Sequence, residues 1–502
     1  MAPERGAILA IDLGTSSAKA LIVGVDGAVL GRGQASYPTL HQREGHDEQR
    51  VDDWLDAIAT AIAGARRFAT GTSIEALAIT GQMHGTVLID RHRLALQAGV
   101  IWSDHRTASL VEPFRQRLGD DLPITIGGPL GTGYQALTLA WFRANRPQVW
   151  ERIAHVLLPV DFVGFRLTGA LATDPSNAVS TGLVNAETGA WDEGLLDAFG
   201  IPASWLPPVV ATGTTIGNLT RTAAAMLDLD HGLPVIHGGG DAPAAAIGGH
   251  VRTSASAMIT LSTGAQVMRP TGSYAPDRGG RWHTWPAARP PGSDIAPWLS
   301  VGALLNGGRA IDWIHRTLAP GLPIVDLMDL AHAAPVGSGG LLFLPYLAGE
   351  RSPLLDPYAR GAFVGLDDRH TPGYLVRAVL EGVALAITNT LDQMTPEAVR
   401  PSRVVFGGGG SSPVVRQIIA SVLGVPLTVP STQEVSAFGA ATIAAHVLGW
   451  HDLASESPLN QQPTSEVIPT ARDHQLYEEL LAIFREATDA ILPTMHRLQQ
   501  DP

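Results

Sequence analysis

A strand-and-turn pattern occurs twice in this chain, half its length apart. The segments Leu9-Ala-Ile-Asp-Leu-Gly-Thr15 and Ile259-Thr-Leu-Ser-Thr-Gly-Ala265 align without gaps and lie 250 residues apart in a chain of 502. Each is an apolar strand that ends in a polar turn with a glycine. A repeat of this length predicts two related domains rather than a solenoid of short units. The alternative is a chance recurrence, since such junctions are common in α/β proteins.

The segments around the first copy alternate between strand and helix patterns. Apolar runs at 7–11 and 74–79 predict buried strands, and 20–23 predicts the return strand of a hairpin. Residues 51–68, which lie between the runs at 20–23 and 74–79, carry apolar side chains at helical spacing. This alternation predicts an α/β fold.

The domain limits follow from the spacing of the two copies. We place the boundary near 248–254, which gives an N-terminal domain of residues 1–248 and a C-terminal domain of residues 249–502. Residues 269–292 are rich in glycine, proline and arginine and predict a long loop in the second domain. The last helix, predicted at 474–498, has one apolar face, which we expect to pack back on the first domain.

Composition excludes several classes of function. The chain has 34 basic and 47 acidic residues, a net charge of −13 and no basic block, which disfavours nucleic-acid binding. It has no cysteine, so disulfides, thiolate zinc sites and cysteine nucleophiles are excluded. The N-terminus lacks a signal-peptide core, and no uncharged apolar run reaches about 18 residues. We therefore expect a cytoplasmic protein that does not cross a membrane.

The first candidate site follows the first predicted strand. In Asp12-Leu-Gly-Thr-Ser-Ser-Ala-Lys19, Gly14 lies at a hairpin tip, where the backbone can approach a phosphate. The hydroxyls of Thr15 and Ser16 can donate to phosphate oxygens, and Lys19 adds a positive charge. Asp12, at the end of a buried strand, is placed to hold Mg²⁺ through water. Taken alone, the segment fits an ordinary hairpin slightly better.

The second candidate is the run His237-Gly-Gly-Gly-Asp241, which follows a predicted strand and precedes an alanine-rich helix. Glycines leave room for a ligand there. A carboxylate at the start of the helix can accept the proton of an attacking hydroxyl. Asp241 is therefore the candidate catalytic base. It also fits a plain helix N-cap, with Pro243 in the first turn, and the two roles are compatible.

A third candidate is the run Phe406-Gly-Gly-Gly-Gly-Ser-Ser412 before a predicted helix. The bare backbone of Gly407, Gly408 and Gly409, followed by Ser411, suits the base and ribose of a nucleotide. The run does not match the dinucleotide fingerprint G-x-G-x-x-G.

A fourth candidate is Gly81-Gln-Met-His-Gly85, at the end of a predicted strand, where ligands bind in α/β proteins. His84 can donate to a sugar hydroxyl, while Met83 packs against the carbon chain. A lone histidine is more often structural. The similar-looking run at 131–136 is rejected as a cofactor site, because no good strand precedes it and no acidic residue ends a second strand about 20 residues later.

Together these segments resemble the FGGY carbohydrate kinases, and within them the xylulokinases, from Ile8 to about Ala445. Several motifs in one order are far more specific than any one of them. They are Ile11-Asp-Leu-Gly-Thr-Ser, Gly81-Gln-Met-His-Gly85, Ile101-Trp-Ser-Asp104, Leu157-Leu-Pro-Val-Asp161, Gly238-Gly-Gly-Asp241, Phe343-Leu-Pro-Tyr-Leu-Ala-Gly-Glu-Arg351, Val379-Leu-Glu-Gly382 and Phe406-Gly-Gly-Gly-Gly410.

The resemblance implies two ribonuclease H-like (actin-like) domains, with ATP and a sugar in the cleft between them. It implies Asp241 as the base on the sugar's terminal hydroxyl and Asp12 as its acidic partner, both at Mg²⁺ through water. Met83 and His84 match the xylulokinase substrate pair, and Trp102 belongs to the same sugar site. Glycerol kinases carry an Arg-Glu pair in place of Met-His, which disfavours glycerol.

The resemblance also extends the predicted ATP site into the second domain. Besides the first hairpin and the glycine run, it adds Thr263, Gly264 and Gly307. Family members are often dimers, so a homodimer is a candidate assembly.

Three positions depart from the usual xylulokinase pattern. Ala242 stands where many members have Asn, Ala265 where Thr usually follows Gly, and Val160 where Lys is common. These changes bear on the sugar more than on the reaction. The predicted reaction is ATP-dependent phosphorylation of D-xylulose at its terminal hydroxyl. The alternatives are D-ribulose, arabinitol or another polyol as acceptor, and a sensor that binds sugar or nucleotide without catalysis.

Overall fold

The computed structural model describes residues 6–395, 400–408, 412–451, 453 and 464–500. Each half of the chain is built around one large mixed β-sheet. The strands of the first half are β1 (Gly6–Leu13), β2 (Ser17–Gly24), β3 (Val29–Ser36), β4 (Glu48–Gln49), β5 (Ser73–Gly81), β6 (Val87–Ile89), β7 (Gly99–Val100), β8 (His155–Leu157), β9 (Val184–Asn185), β10 (Ala190–Trp191), β11 (Thr215–Asn218) and β12 (Pro234–Gly240). Those of the second half are β13 (Ser256–Leu261), β14 (Ala265–Thr271), β15 (His283–Pro286), β16 (Trp298–Leu304), β17 (Leu342–Pro345), β18 (Gly361–Val364), β19 (Arg403–Gly407), β20 (Leu427–Pro430) and β21 (Thr464–Val467).

The helices lie between these strands and cover the two sheets. In the first half they are α1 (Val51–Arg66), α2 (Ala108–Leu118), α3 (Leu122–Ile126), α4 (Gln135–Asn145), α5 (Pro147–Trp150), α6 (Pro159–Thr168), α7 (Pro175–Ala178), α8 (Glu193–Phe199), α9 (Arg221–Leu227) and α10 (Asp241–Gly248). In the second half they are α11 (Gly308–Leu318), α12 (Ile324–Ala333), α13 (Pro372–Gln393), α14 (Pro413–Leu423), α15 (Val435–Val447) and α16 (Ala471–Gln500).

The two large sheets share one topology. The first has the order β11-β12-β5-β1-β2-β3, with β1, β5 and β12 parallel and β2 antiparallel to both neighbours. The second contains the order β20-β19-β13-β14-β16, with β13, β19 and β20 parallel and β14 antiparallel to both neighbours. The repeated sequence pattern therefore lies at equivalent places, the β1–β2 and β13–β14 turns. The two-domain α/β fold expected from the sequence is confirmed.

One helix from each half covers the sheet of the other half. The apolar face of α15, with Phe438 and Ala441, packs on Ile8 and Ala78 of the first sheet. In turn, α10 packs its alanines against Met258 of the second sheet. The two helices cross each other, so the link between the domains is a buried helix–helix contact.

Among the described residues, the last helix, α16, packs within the second domain, and α15 instead covers the sheet of the first domain, contrary to our expectation. The buried face of α16 packs on α13 and α14 of its own domain. Its polar partners lie there as well: the Tyr477 hydroxyl donates to Glu381 Oε1 at 2.7 Å. Tyr346 Oη lies 3.1 Å from Thr488 Oγ1. These contacts hold α16 within the second domain.

The stretch at 269–292 is not one long loop. It contains the end of β14 and the strand β15, which pairs with β16. The pattern hides this strand because three of its four residues, Thr284, Trp285 and Pro286, are buried and do not alternate with polar positions. One helix among the described residues, α13, is long and apolar enough to cross a membrane by length and composition. However, 89% of its most apolar window is buried inside the protein, as in a core helix.

Candidate active site

Two carboxylates lie at the same edge of the first sheet. Asp12 is near the end of β1, and Asp241 is the first residue of α10, directly after β12. Both strands flank β5: Asp12 is paired with Thr80 and Gly240 with Gly81. Because parallel strands end at one edge, the two side chains meet at the carboxyl end of the sheet, where α/β proteins bind ligands. The N-cap of α10 is Gly240, so Asp241 is not itself the N-cap.

The environment of this pair favours the protonated carboxyl groups. Burial raises the pKa of Asp12 to about 6, while the charge of Lys19 opposes the shift and that of Glu434 adds to it. Burial, and next the charge of Asp12, raise the pKa of Asp241 to about 7. The Ala242 N–H donates to Asp241 Oδ1 at 2.7 Å and limits this shift. A carboxylate with a pKa near 7 is matched to general-base work at neutral pH.

The pair fits a magnesium ion that is held mostly by other groups. Asp12 Oδ1 is buried and has no hydrogen-bond partner among the described residues, so it is available to an ion or to its water shell. Within the described part of the chain, no cluster of three or more His, Asp or Glu side chains forms a direct metal cage. Mg²⁺ commonly binds through one or two carboxylates, water and phosphate oxygens. The residues present fit that mode.

The first predicted phosphate loop is the β1–β2 turn. The Gly14 N–H donates to the Ser17 carbonyl at 3.1 Å, which closes the turn. Ser16 is exposed, and Lys19 is paired with Asp12 across the two strands. The Trp102 indole N–H donates to Thr15 Oγ1 at 2.8 Å. This bond links the predicted phosphate loop directly to the predicted sugar site.

The equivalent turn of the second domain, β13–β14, brings together the other predicted phosphate residues. The Gly307 N–H donates to the Thr263 carbonyl at 3.2 Å. A β-carbon at position 307 would stand 2.3 Å from the Gly264 carbonyl oxygen, so glycine is required there. The buried Glu350 holds the preceding residues: its Oε1 accepts the Leu305 N–H at 2.6 Å.

A cavity of about 400 Å³ lies between the end of β19 and the segment that joins β20 to α15. Gly407 and Gly408 line one side. Gly408 has φ = 109°, and a β-carbon there would stand 2.3 Å from the Leu261 carbonyl oxygen. The cavity is also lined by Ser431, Thr432 and Gln433, which the sequence patterns did not predict. Gly409 and Ser411 lie outside the described residues.

Met83 and His84 follow the end of β5, the strand that lies between the strands of Asp12 and Asp241. Met83 is buried and lies against Gly240, where a β-carbon would stand 2.7 Å from Met83 Cγ. The His84 N–H donates to Ser180 Oγ at 2.9 Å, and its Nδ1 lies 2.9 Å from the Ser180 carbonyl oxygen. A carbonyl only accepts, so Nδ1 carries the proton. Burial lowers the pKa of His84 to about 4, so the ring is neutral.

The direction of the expected hydrogen bond is therefore reversed. We expected His84 to donate to a sugar hydroxyl. With the proton held on Nδ1 by the Ser180 carbonyl, Nε2 is left able to accept a hydrogen bond and unable to donate one. Sequence alone could not assign the tautomer, because the deciding carbonyl lies 96 residues further along the chain.

Comparison with known proteins supports a single family over most of the chain. Residues 7–248 match the N-terminal domain and residues 257–448 the C-terminal domain of the FGGY family of carbohydrate kinases. The chain is 30% identical over 465 residues to a glycerol kinase of Janthinobacterium sp., covering 89% of this chain and 91% of the relative. The chain belongs to the FGGY family of carbohydrate kinases. It is an ATP-dependent carbohydrate kinase.

Other relatives of this kinase carry a different substrate name. The xylulose kinase of Bacillus subtilis is 28% identical over 482 residues, covering 95% of this chain and 96% of the relative. The solved structure of a ligand-bound xylulose kinase from Lactobacillus acidophilus superimposes with a TM-score of 0.91 at 25% identity, covering 98% of this chain and 100% of that one. The fold is therefore shared along nearly the whole chain.

The kinase surrounds His84 with aromatic residues that the sequence reasoning missed. Tyr134 contacts His84 edge-on, with ring centroids 4.7 Å apart, and Trp285 lies 6.2 Å from His84. The Tyr134 hydroxyl and the Trp285 indole N–H are buried, and neither has a hydrogen-bond partner in the described part of the chain. His283 packs on Trp285 at 4.7 Å. The charge of the exposed Arg351 is close enough to lower the pKa of His84.

Two features concealed these residues. Tyr134 lies in the 131–136 run, whose pattern is similar only to a cofactor site and gives no signal of a sugar site. Trp285 and His283 lie on β15, within the stretch expected to be a loop. Both belong to the second domain, so this end of the site exists only when the two domains are in contact.

The three departures from the xylulokinase pattern have different surroundings in the kinase. Ala242 is half-buried beside Asp241 and packs in the apolar cluster that contains Met83. Ala265 is buried at the start of β14. Val160 is fully buried in the core of the first domain, where a lysine would need a partner for its charge.

Proposed function

We propose that this kinase transfers the γ-phosphate of ATP to the terminal hydroxyl of D-xylulose. The observation that carries the proposal is the carboxylate pair Asp12 and Asp241 at one edge of the first sheet, where the β1–β2 turn and the Met83–His84 segment also begin. Asp241 accepts the hydroxyl proton as the sugar oxygen bonds to the γ-phosphorus. The bond from that phosphorus to the ADP oxygen breaks in line.

We assign ATP and Mg²⁺ to residues of both domains. The β-hairpin residues Gly14, Thr15, Ser16 and Lys19 face the phosphates from the first domain. Thr263, Gly264 and Gly307 do so from the second, and the cavity at Gly407 and Gly408 holds the base and ribose, with Gly409 and Ser411 as further contacts. Mg²⁺, held through water by Asp12 and Asp241, would neutralise charge that develops on the phosphoryl group.

The sugar is assigned on Met83, His84 and Trp102. The neutral His84 Nε2 accepts from a sugar hydroxyl, and Met83 packs against carbon. The xylulose kinase relatives support D-xylulose, but Ala242 lacks the side-chain amide that many of them carry. D-ribulose, arabinitol or another polyol is therefore the alternative acceptor.

The test is ADP release with Mg²⁺-ATP across a panel of D-xylulose, D-ribulose, arabinitol and glycerol. We expect the highest kcat/KM with D-xylulose, and no stimulation in excess EDTA. A higher kcat/KM with another acceptor would replace the sugar and keep the reaction. If no sugar or polyol stimulates ADP release, while calorimetry still detects sugar or ATP binding, the protein is a sensor and the proposal is wrong.

A homodimer and a cytoplasmic location remain expectations from the sequence. Sedimentation velocity of the purified protein tests the first, and fractionation of the source cells tests the second.

A further inference from the structure

Three buried ionisable side chains lie close to the glycines that precede Asp241, and the proposed reaction uses none of them. His237, Asp161 and Asp174 have side chains that are at most 1% exposed. His237 Nε2 lies 3.1 Å from Asp161 Oδ1, and its Nδ1 lies 3.7 Å from Asp174 Oδ2. Burying charged groups is unfavourable unless they are paired and hydrogen-bonded, and apolar residues of similar size often serve stability better. The cluster therefore calls for a role beyond packing.

One branch of the cluster holds the glycines at the end of β12, directly before Asp241. The Gly239 N–H donates to His237 Nδ1 at 3.3 Å. Ser176 Oγ donates to Asp174 Oδ1 at 2.9 Å and accepts the Gly240 N–H at 3.1 Å. Two consecutive backbone N–H groups are thus fixed by side chains immediately before the predicted base.

The other branch holds His84 on the sugar side. The Asn177 Nδ2–H donates to Asp161 Oδ1 at 3.0 Å. The Asn177 carbonyl accepts from Ser180 Oγ at 2.7 Å, and the same Ser180 oxygen accepts the His84 N–H at 2.9 Å. The Ser180 carbonyl also fixes the His84 tautomer. His84 has φ = 63°, a conformation that non-glycine residues adopt rarely, so its position depends on these bonds.

We propose that the Asp161–His237 pair is a shared positioning device with two branches. Through the Gly239 N–H, and through Asp174 and Ser176, it sets the position of Asp241. Through Asn177 and Ser180 it sets the position of His84. Asp161, His237, Ser176 and Ser180 are positioning residues, since they act through Asp241 and His84. The inference rests on the proposed function for the roles of those two residues. It goes beyond that function by assigning separate kinetic effects to two serines.

The separation of the two branches gives the test. Ser176→Ala frees the loop before the base, so kcat should fall about 10- to 100-fold while the KM for the sugar changes less than about threefold. Ser180→Ala frees His84, so the KM for the sugar should rise about tenfold while kcat changes less than about threefold. Asp161→Asn disturbs both branches and should change both constants. The KM for ATP should stay within about twofold of the parent in all three.

A buried hydroxyl in the same segment provides the control. Thr181 is buried, and among the described residues its Oγ1 bonds to the backbone of Ala178 and Leu183 alone. Thr181→Val should lower the melting temperature and leave kcat and both KM values unchanged. Ser180→Thr keeps the hydroxyl and should restore the sugar KM lost in Ser180→Ala.

Several outcomes would overturn the positioning role. It fails if both serine variants behave like Thr181→Val, or if both change kcat and KM together. If Asp161→Asn does not fold, the two serine variants still decide. The sugar used is whichever one the parent phosphorylates best, so a wrong sugar assignment leaves this test intact. Full activity of Asp241→Asn would instead show that the base assignment is wrong, whatever the serines do.

Discussion

Gly439 on α15 lies directly against Ala244 on α10, where the two helices that each cover the other domain's sheet cross. A β-carbon at position 439 would stand 1.9 Å from the Ala244 carbonyl oxygen. Gly248 is equally close to α15, because its β-carbon would stand 2.0 Å from the Val435 carbonyl oxygen. The two domains therefore meet with backbone in contact with backbone at two glycines.

Gly439→Ala should destabilise the protein. Alanine favours a helix over glycine by about 1 kcal/mol, but the overlap is with backbone and requires the helices to move apart. We expect a net loss of about 1–3 kcal/mol in the free energy of unfolding, measured by denaturant titration. Gly321→Ala is the control, because nothing lies within 4 Å of its β-carbon, and it should stay within about 0.5 kcal/mol. Equal stability of the two variants would contradict a tight crossing.

Asp241→Asn should abolish turnover and preserve binding. The amide keeps the shape of the side chain but cannot accept the hydroxyl proton, so kcat should fall by at least about 100-fold. Sugar affinity, measured by calorimetry, should stay within about tenfold, or 1.4 kcal/mol. Asp228→Asn, at an exposed carboxylate, should leave kcat unchanged. A variant at position 241 that turns over like the parent would refute the base assignment.

The reaction should gain rate as the pH rises through about 7. Burial and the charge of Asp12 raise the pKa of Asp241 to about 7, and only the deprotonated carboxylate can act as a base. The ratio kcat/KM for the sugar, which reports the free enzyme, should therefore fall below pH 7 and level off above about pH 8. A profile that is flat from pH 5.5 to pH 8.5 would be inconsistent with this pKa.

Sugar affinity should not follow this profile. Burial lowers the pKa of His84 to about 4, so the ring stays neutral and keeps Nε2 as an acceptor from about pH 5.5 upward. The Kd for the sugar, measured by calorimetry on Asp241→Asn to avoid turnover, should be constant between pH 5.5 and pH 8. An affinity that weakens below a midpoint near 6.5 would contradict the low pKa of His84, because the acceptor would then be lost by protonation, and an affinity that strengthens there would show a donating histidine.

Tyr134→Phe should weaken sugar binding without lowering stability. The Tyr134 hydroxyl is buried and has no hydrogen-bond partner among the residues that the structure describes, so its removal costs no hydrogen bond seen there. We expect the sugar KM to rise about 5- to 10-fold and the melting temperature to stay level or increase. Tyr346→Phe is the matched control, because its hydroxyl bonds to Thr488. That variant should lose about 1 kcal/mol of stability and keep the sugar KM. A drop in stability at Tyr134 with an unchanged KM would assign it a purely structural role.

Local sequence patterns were sufficient to predict the fold and the elements that carry the site. The apolar strand that ends at Asp12, and the glycine run that ends at Asp241, specify two strand ends of one sheet because parallel strands share an edge. The copy of the first pattern at 259–265 predicted a second sheet of the same kind. Sequence patterns did not predict β15, because most of its residues are buried and its polar and apolar residues do not alternate.

The sequence by itself determined the two-domain α/β fold, the family and the choice of Asp12 and Asp241 as candidate catalytic residues. These depend on residues that are close in the chain or on motifs in a fixed order. Only the tertiary structure decided that α15 rather than α16 covers the first sheet, that His84 carries its proton on Nδ1, and that Tyr134 and Trp285 surround it. The reason is physical: the tautomer of His84, the aromatic side chains around it and the helix that covers the first sheet depend on residues that lie 50 or more positions away along the chain, and chain spacing does not encode which of these segments meet.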